Sequence, residues 1–143
     1  MNVFRRAYSI VGALLMLQFF LQLYFIAGAI FTIVNANDNA KDVYSAFKNA
    51  DSFAGLHAIN GDIIGLTTLV MFILSIAARY PRRTIILTGL LFVLLLVQVV
   101  LAHTGVAVIS ALHGLNALVM IGLGGYLTGR AFRSEPEVAA TSP

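Results

Sequence analysis

The sequence predicts an all-α integral membrane protein, an up-down-up-down four-helix bundle made of two pseudo-twofold-related helical hairpins. Three observations carry this prediction. Hydrophobic residues make up 59% of the 143 residues and charged residues only 10%, whereas charged residues form about 25% of soluble domains. Long apolar runs alternate with short polar or Pro- and Gly-containing segments, and a Leu-His-x-x-Asn motif occurs in each half of the chain. We expect one transmembrane domain over residues 1–133.

The first predicted helix covers residues 7–34 and follows Arg5 and Arg6. Its only ionisable side chains are Tyr8 and Tyr24, and about 20 apolar residues are enough to span the hydrocarbon core. Two arginines ahead of an apolar run are also typical of a signal peptide. This run, however, is about twice the length of a signal-peptide core, so we expect a membrane helix.

The segment Asn35–Ser52 is the longest polar connection. Asp38 could cap a short amphipathic helix with Val43, Phe47 and Ala50 on one face. Such a helix would be either a lid over a site beneath it or an ordinary interfacial connection. We favour the ordinary connection.

The second predicted helix, residues 53–78, ends before Pro81, which cannot continue a helix. No Asp, Glu, Lys or Arg occurs between Thr84 and Leu127. As one helix this run would be about 65 Å long, twice the thickness of the hydrocarbon core, so it must fold back on itself. The expected hairpin is His103-Thr104-Gly105.

This hairpin divides the run into a third predicted helix, residues 84–102, and a fourth, residues 106–130. The polar segment 134–143 is predicted to be a disordered cytoplasmic tail. All seven arginines lie near the termini or between the second and third helices. By the positive-inside rule both termini are cytoplasmic, and we expect a multi-pass protein of the bacterial cytoplasmic membrane.

The repeated motif places His57 and Asn60 in the second helix and His113 and Asn116 in the fourth. Both helices start at the outer face, so the two imidazoles are expected at similar depths and can face each other. The chain has no Cys. Zinc prefers three or four protein ligands and copper(I) prefers sulfur, whereas haem needs only two axial ligands. We therefore predict one haem b, with His57 and His113 as ligands of its iron.

Small residues follow each histidine at helical spacing. Gly61 and Gly65 stand four and eight positions after His57, and would leave room for a flat macrocycle. In the second copy, Ala117 stands four positions after His113, but a bulky residue occupies the next position of the series. Asn60 and Asn116 could orient the histidines or contact a neighbouring backbone.

Other polar residues at membrane depth are Asp62, Gln18 and Gln98. Asp62 should be protonated or paired because an ionised carboxylate is costly there; we expect a role in proton movement or a partner such as Gln18, Gln22 or Gln98. The sequence around Gln18 faintly matches that around Gln98, so these glutamines are taken as equivalents. They could contact a cofactor edge or another helix. His103, at the hairpin, could be a third ligand, but we expect it to be solvated or to anchor the hairpin at the membrane interface.

Two alternatives remain beside haem. Intramembrane His, Asn and small residues also fix helix packing without any cofactor, and a quinone or lipid could occupy the same space. No paired carboxylates, activated nucleophile or basic-aromatic surface is present, so hydrolysis, group transfer and nucleic-acid binding are not indicated. We expect an electron carrier or accessory subunit more than an enzyme. Its partners would be the lipid bilayer and a larger redox complex or further copies of the chain.

The motifs also resemble known families. Gln98, His113 and His57 together look like one four-helix half of haem A synthase, and the plan is similar to cytochrome b561-like bundles. The whole chain resembles small bacterial four-helix membrane proteins of unassigned function, through Gln18-Phe19-Phe20, His57 and the segment Leu112–Ala117. The resemblance to haem A synthase implies an axial-ligand role for His57 and His113. Its oxidative chemistry is not implied, because that enzyme has a second half that this chain lacks.

Overall fold

The computed structural model describes residues 3–39 and 41–140, and the side chains as far as Arg133. The described residues form four helices and no strand, which confirms the all-α prediction. These helices are α1 (Val3–Asp38), α2 (Val43–Ala77), α3 (Arg82–Ala102) and α4 (Ala107–Ala140).

Each helix is long and apolar enough to cross a membrane. The most apolar windows of the four have mean hydropathies of 2.1, 1.8, 2.9 and 1.7 in chain order, and the span on α4 ends at Arg133. Large apolar side chains such as Phe20, Leu66 and Leu115 are more than half exposed. Exposed apolar surface of this kind suits contact with lipid, and the chain is a multi-pass membrane protein.

The connection between α1 and α2 is shorter than the sequence predicts. α1 continues to Asp38 and α2 already begins at Val43, so most of Asn35–Ser52 is helical. Hydropathy marks only the part of a helix inside the hydrocarbon, and polar turns can continue it into water. The capping residue is Asp42 and not Asp38: its carboxylate accepts bonds from the Tyr44 N–H at 3.0 Å and the Ser45 hydroxyl at 2.6 Å.

The turn after α2 depends on Arg79. Its φ of 51° is in the left-handed region, where C-terminal helix caps usually have glycine. The Arg79 N–H donates to Ile76 O at 3.0 Å and the Tyr80 N–H to Ser75 O at 3.1 Å, the two bonds of a Schellman motif. The Tyr80 ring then lies 4.8 Å from the ring of Tyr8 on α1.

The turn between α3 and α4 is where the sequence predicts it, with α3 ending at Ala102 and α4 beginning at Ala107. Gly105 has a φ of 68°, a conformation that glycine adopts without steric cost. α4 is longer than predicted and ends at Ala140. The predicted disordered tail therefore coincides partly with this helix, and its last three positions lie outside the described residues.

The chain divides into two compact units: unit 1 is Met1–Met16 with Gly65–Pro143, and unit 2 is Leu17–Ile64. Unit 1 packs parts of all four helices into a bundle. Its core includes the fully buried side chains Tyr8, Leu15, Met71, Leu91, Met120 and Leu127. The Tyr8 and Thr88 hydroxyls are bonded at 2.9 Å, which ties α1 to α3.

Unit 2 consists of the parts of α1 and α2 on either side of their connection, residues Leu17–Ile64. A Cβ on Gly28 would lie 2.7 Å from a ring carbon of Phe53, so glycine at this position permits the close approach of the two helices. The Phe53 ring also meets Tyr24 edge-on, with 6.4 Å between centroids. This aromatic contact lies on the same hairpin as the first histidine motif.

Candidate functional site

The two histidine motifs lie in different units. His57 and Asn60 belong to α2 in unit 2, and His113 and Asn116 belong to α4 in unit 1. Each motif is bonded to the preceding helix of its own hairpin, through a glutamine and through backbone carbonyls.

In the α3–α4 hairpin, Asn116 bonds twice across the helix interface. Its Nδ2 donates to Leu94 O at 2.9 Å and to Gln98 Oε1 at 2.6 Å. One turn earlier on α4, His113 Nδ1 lies 3.1 Å from Gln98 O. Gln98 thus accepts through both its side chain and its backbone.

The α1–α2 hairpin repeats this arrangement. Asn60 Nδ2 donates to Gln18 O at 2.9 Å and to Gln22 Oε1 at 3.0 Å. His57 Nδ1 lies 3.4 Å from Gln22 O. We call each set of three bonds a Gln–His–Asn clamp.

The clamps correct the equivalence assigned from sequence. The partner that corresponds to Gln98 is Gln22, one helical turn beyond Gln18. Gln18 contributes only its backbone carbonyl, as Leu94 does in the other hairpin. The Gln18 side-chain oxygen is buried and has no hydrogen-bond partner among the described residues.

The clamp geometry fixes the role of each imidazole nitrogen. A backbone carbonyl can only accept, so Nδ1 of His57 and of His113 must carry the proton in these bonds. In a neutral imidazole the lone pair is then on Nε2. Each hairpin therefore orients its ring and selects the same tautomer, and both rings are half-buried.

The small residues after each histidine are in contact with neighbouring side chains. A Cβ on Gly61 would lie 3.4 Å from Gln22 Nε2, and one on Gly65 would lie 3.4 Å from a methyl group of Leu95. Gly61 thus faces its own clamp, and Gly65 packs on α3. Ala117, which directly follows the second clamp, is half-buried.

Asp62 is exposed on α2, and none of the described residues forms a hydrogen bond or ion pair with it. The amide oxygens of Gln22 and Gln98, two of its predicted partners, accept from the clamp asparagines instead. Its exposed neighbours on α2 are apolar, including Ile59 at 59% and Leu66 at 63% exposure. The carboxylate thus lies on an apolar surface.

His103 differs from the clamp histidines. Its Nδ1 bonds to Val99 O of its own helix at 2.8 Å, and the side chain is exposed. Within the described part of the chain, no group of three or more His, Cys, Asp or Glu side chains could hold a metal ion. A bare metal site built from such a group is therefore not indicated there.

Sequence reasoning missed Gln22 as the clamp partner of Asn60. A signal was present: Gln98 and His113 lie seven and eight residues from Gly105, and Gln22 and His57 lie equally far from the centre of the first connection, between positions 39 and 40. Antiparallel helices pair residues in this way. The signal could be used only with the first turn correctly located.

A family of unknown function (DUF6220) matches residues 44–105, less than half of the chain. The matched part includes His57 and Gln98 but not Gln22 or His113. No curated protein and no solved structure matches the chain. The resemblance to haem A synthase and to cytochrome b561-like bundles therefore rests on the short motifs alone.

Proposed function

We propose that this membrane protein binds one haem b through Nε2 of His57 and Nε2 of His113. The proposed role is electron transfer, by the chain alone or as a subunit of a membrane redox complex. The observation that supports it is the repeated bond from each histidine Nδ1 to a glutamine carbonyl. Histidines that ligate metals usually donate their other ring N–H in this way, which fixes the tautomer and raises the basicity of the ligating nitrogen.

The donor set fits haem better than other metals. His57 and His113 would be its two protein ligands, and haem would supply a one-electron couple. Gln22 and Gln98 would hold the two rings through their carbonyls. Asn60 and Asn116 would hold the glutamines in turn, because each donates to the side-chain oxygen of the same glutamine.

A second candidate is a cofactor-free structural or interaction protein. It is favoured by the hydrogen bonds of the clamps, which occupy Asn Nδ2, Gln Oε1 and His Nδ1 within each hairpin. Such bonds fix the register of two apolar helices that could otherwise slide along each other in lipid.

Absorption spectroscopy of the purified protein separates these candidates. Haem b with two histidine ligands gives a Soret band and a sharp α band on reduction, and we expect both to disappear in His57→Ala and in His113→Ala. His103→Ala is the matched control, because its ring bonds only within its own helix, and its spectrum should not change. A colourless protein, from cells supplied with haem, or a low-spin spectrum retained in both variants would refute the ligand assignment.

We further propose the bacterial cytoplasmic membrane as the location, with both termini on the cytoplasmic side. The support is the arginine distribution. The chain has no Cys, so single-cysteine variants can be labelled selectively in intact cells. A membrane-impermeant maleimide should label Lys41→Cys and not Arg6→Cys; the opposite result would invert the topology.

A further inference from the structure

A cavity of about 120 Å³ lies within unit 1, at the end of the unit where the arginines are concentrated. Its lining includes Arg5, Tyr8, Tyr80, Pro81, Thr84 and Arg130. It is separate from both clamps. Two guanidinium groups and no carboxylate are among its lining residues, so its electrostatic character is positive.

An aromatic pair holds Arg5 in place. The Arg5 guanidinium lies over the Tyr80 ring, 4.9 Å from its centroid, and the Tyr8 and Tyr80 rings are 4.8 Å apart. Tyr8 is anchored by its bond to Thr88, and Tyr80 by the left-handed turn at Arg79. The first cation is therefore positioned by buried groups from α1, α3 and the α2–α3 turn.

The second cation, Arg130, is on α4, where it donates to the Tyr126 hydroxyl at 3.1 Å. The start of α3 adds to the positive potential. Pro81 is its N-cap residue and makes no side-chain capping bond, while Pro81 and Thr84 both line the cavity. The N-terminus of a helix carries a partial positive charge that favours anions, while the Thr84 N–H itself donates to Pro81 O at 2.8 Å.

We propose that this cavity binds a phosphate group, carried by the head of an anionic phospholipid or by free phosphate. Arginine binds phosphate oxygens with paired N–H groups, and basic pockets between transmembrane helices receive anionic lipid head groups. The cavity, at about 120 Å³, has room for a phosphate group. Its position near the ends of the membrane spans is the level at which lipid phosphates lie.

Native mass spectrometry of the detergent-purified chain tests the site. The wild type should retain phosphatidylglycerol in preference to phosphatidylcholine. Arg5→Gln and Arg130→Gln should each reduce retention about fivefold, and the double variant about 25-fold. The matched control is Arg6→Gln, because Arg6 is adjacent in sequence and exposed but does not line the cavity; retention should be unchanged.

The outcomes also identify the source of the phosphate. Retention of phosphatidylglycerol that excess inorganic phosphate does not displace indicates a lipid ligand. Arginine-dependent binding of inorganic phosphate by calorimetry indicates free phosphate. Equal retention of both lipids without phosphate binding, or an equal loss in Arg6→Gln, would overturn the proposal. If the double variant does not fold, two measurements still test the proposal. They are the retention of phosphatidylglycerol against phosphatidylcholine by the wild type, and the loss of retention in Arg130→Gln, whose side chain is exposed.

Discussion

Each clamp should contribute measurable coupling between its two helices, and the bond between Asn116 and Gln98 is the clearest place to test this. Asn116→Leu removes two donated bonds to α3, at 2.9 and 2.6 Å. Gln98→Met removes the acceptor of the shorter bond at nearly constant volume. The two variants therefore share one hydrogen bond.

The expected magnitude follows from these bonds. Hydrogen bonds between membrane helices average about 0.6 kcal/mol and reach about 1.7 kcal/mol. Asn116→Leu should thus lower the free energy of unfolding by about 1.2 kcal/mol through its two bonds. The coupling between Asn116→Leu and Gln98→Met should lie between about 0.6 and 1.7 kcal/mol, towards the upper value because the shared bond is short, at 2.6 Å.

A double-mutant cycle measures this coupling, with reversible unfolding in mixed detergent micelles followed by circular dichroism. The matched control crosses the clamps, combining Asn60→Leu with Gln98→Met, which share no hydrogen bond. This pair should be additive within about 0.5 kcal/mol. Zero coupling for Asn116 and Gln98, or equal coupling in the crossed pair, would refute the clamp as the source of hairpin register.

Three further predictions concern single residues. The Ser45 hydroxyl lowers the pKa of Asp42, so capping should persist at neutral pH and weaken as the pH falls below about 4; amide exchange at Tyr44 measures this. Arg79 is in the left-handed region, so Arg79→Gly should be more stable to unfolding than Arg79→Ala by about 1 kcal/mol. Asp62 is exposed on a membrane-spanning helix, so Asp62→Leu should favour insertion of α2 by about 3 kcal/mol, measured by translocon insertion.

Each of these predictions has a control variant or a result that would contradict it. Asp42→Asn retains a capping side chain without a titrating group, so its Tyr44 amide should show no such loss of protection in acid. Equal stabilities of Arg79→Gly and Arg79→Ala would mean that the left-handed turn is not strained. An unchanged insertion of α2 in Asp62→Leu would mean that water or another chain covers the carboxylate.

The positions of the membrane helices could be predicted largely from sequence, while the helix ends at the α1–α2 connection could not. Hydropathy located the spans because the hydrocarbon core excludes polar side chains over a fixed thickness. It could not locate the end of α1 or the start of α2, because the helix continues into water there, and Asp42 sets the new start. The hairpin at Gly105 is predictable because the apolar run from Thr84 to Leu127 is too long for one span.

The candidate site was only partly predictable for the same reason. The sequence identified His57, Asn60, His113 and Asn116, but it indicated Gln18 and not Gln22 as the equivalent of Gln98. The true partner, Gln22, depends on the register of α1 against α2. If the turn is located wrongly, the predicted partner of every residue across the hairpin is shifted as well.

The sequence by itself determined that the chain lies in a lipid bilayer, that it has four membrane spans, and that the His-x-x-Asn motif occurs twice. Composition and residue spacing along one helix are local properties, so they can be read without the fold. Tertiary structure alone decided which carbonyls accept from His57 and His113, and that Arg5 lies over Tyr80 and lines one cavity with Arg130. These contacts join residues far apart in the chain, and their existence depends on helix register and on the left-handed turn at Arg79. No local pattern specifies either one.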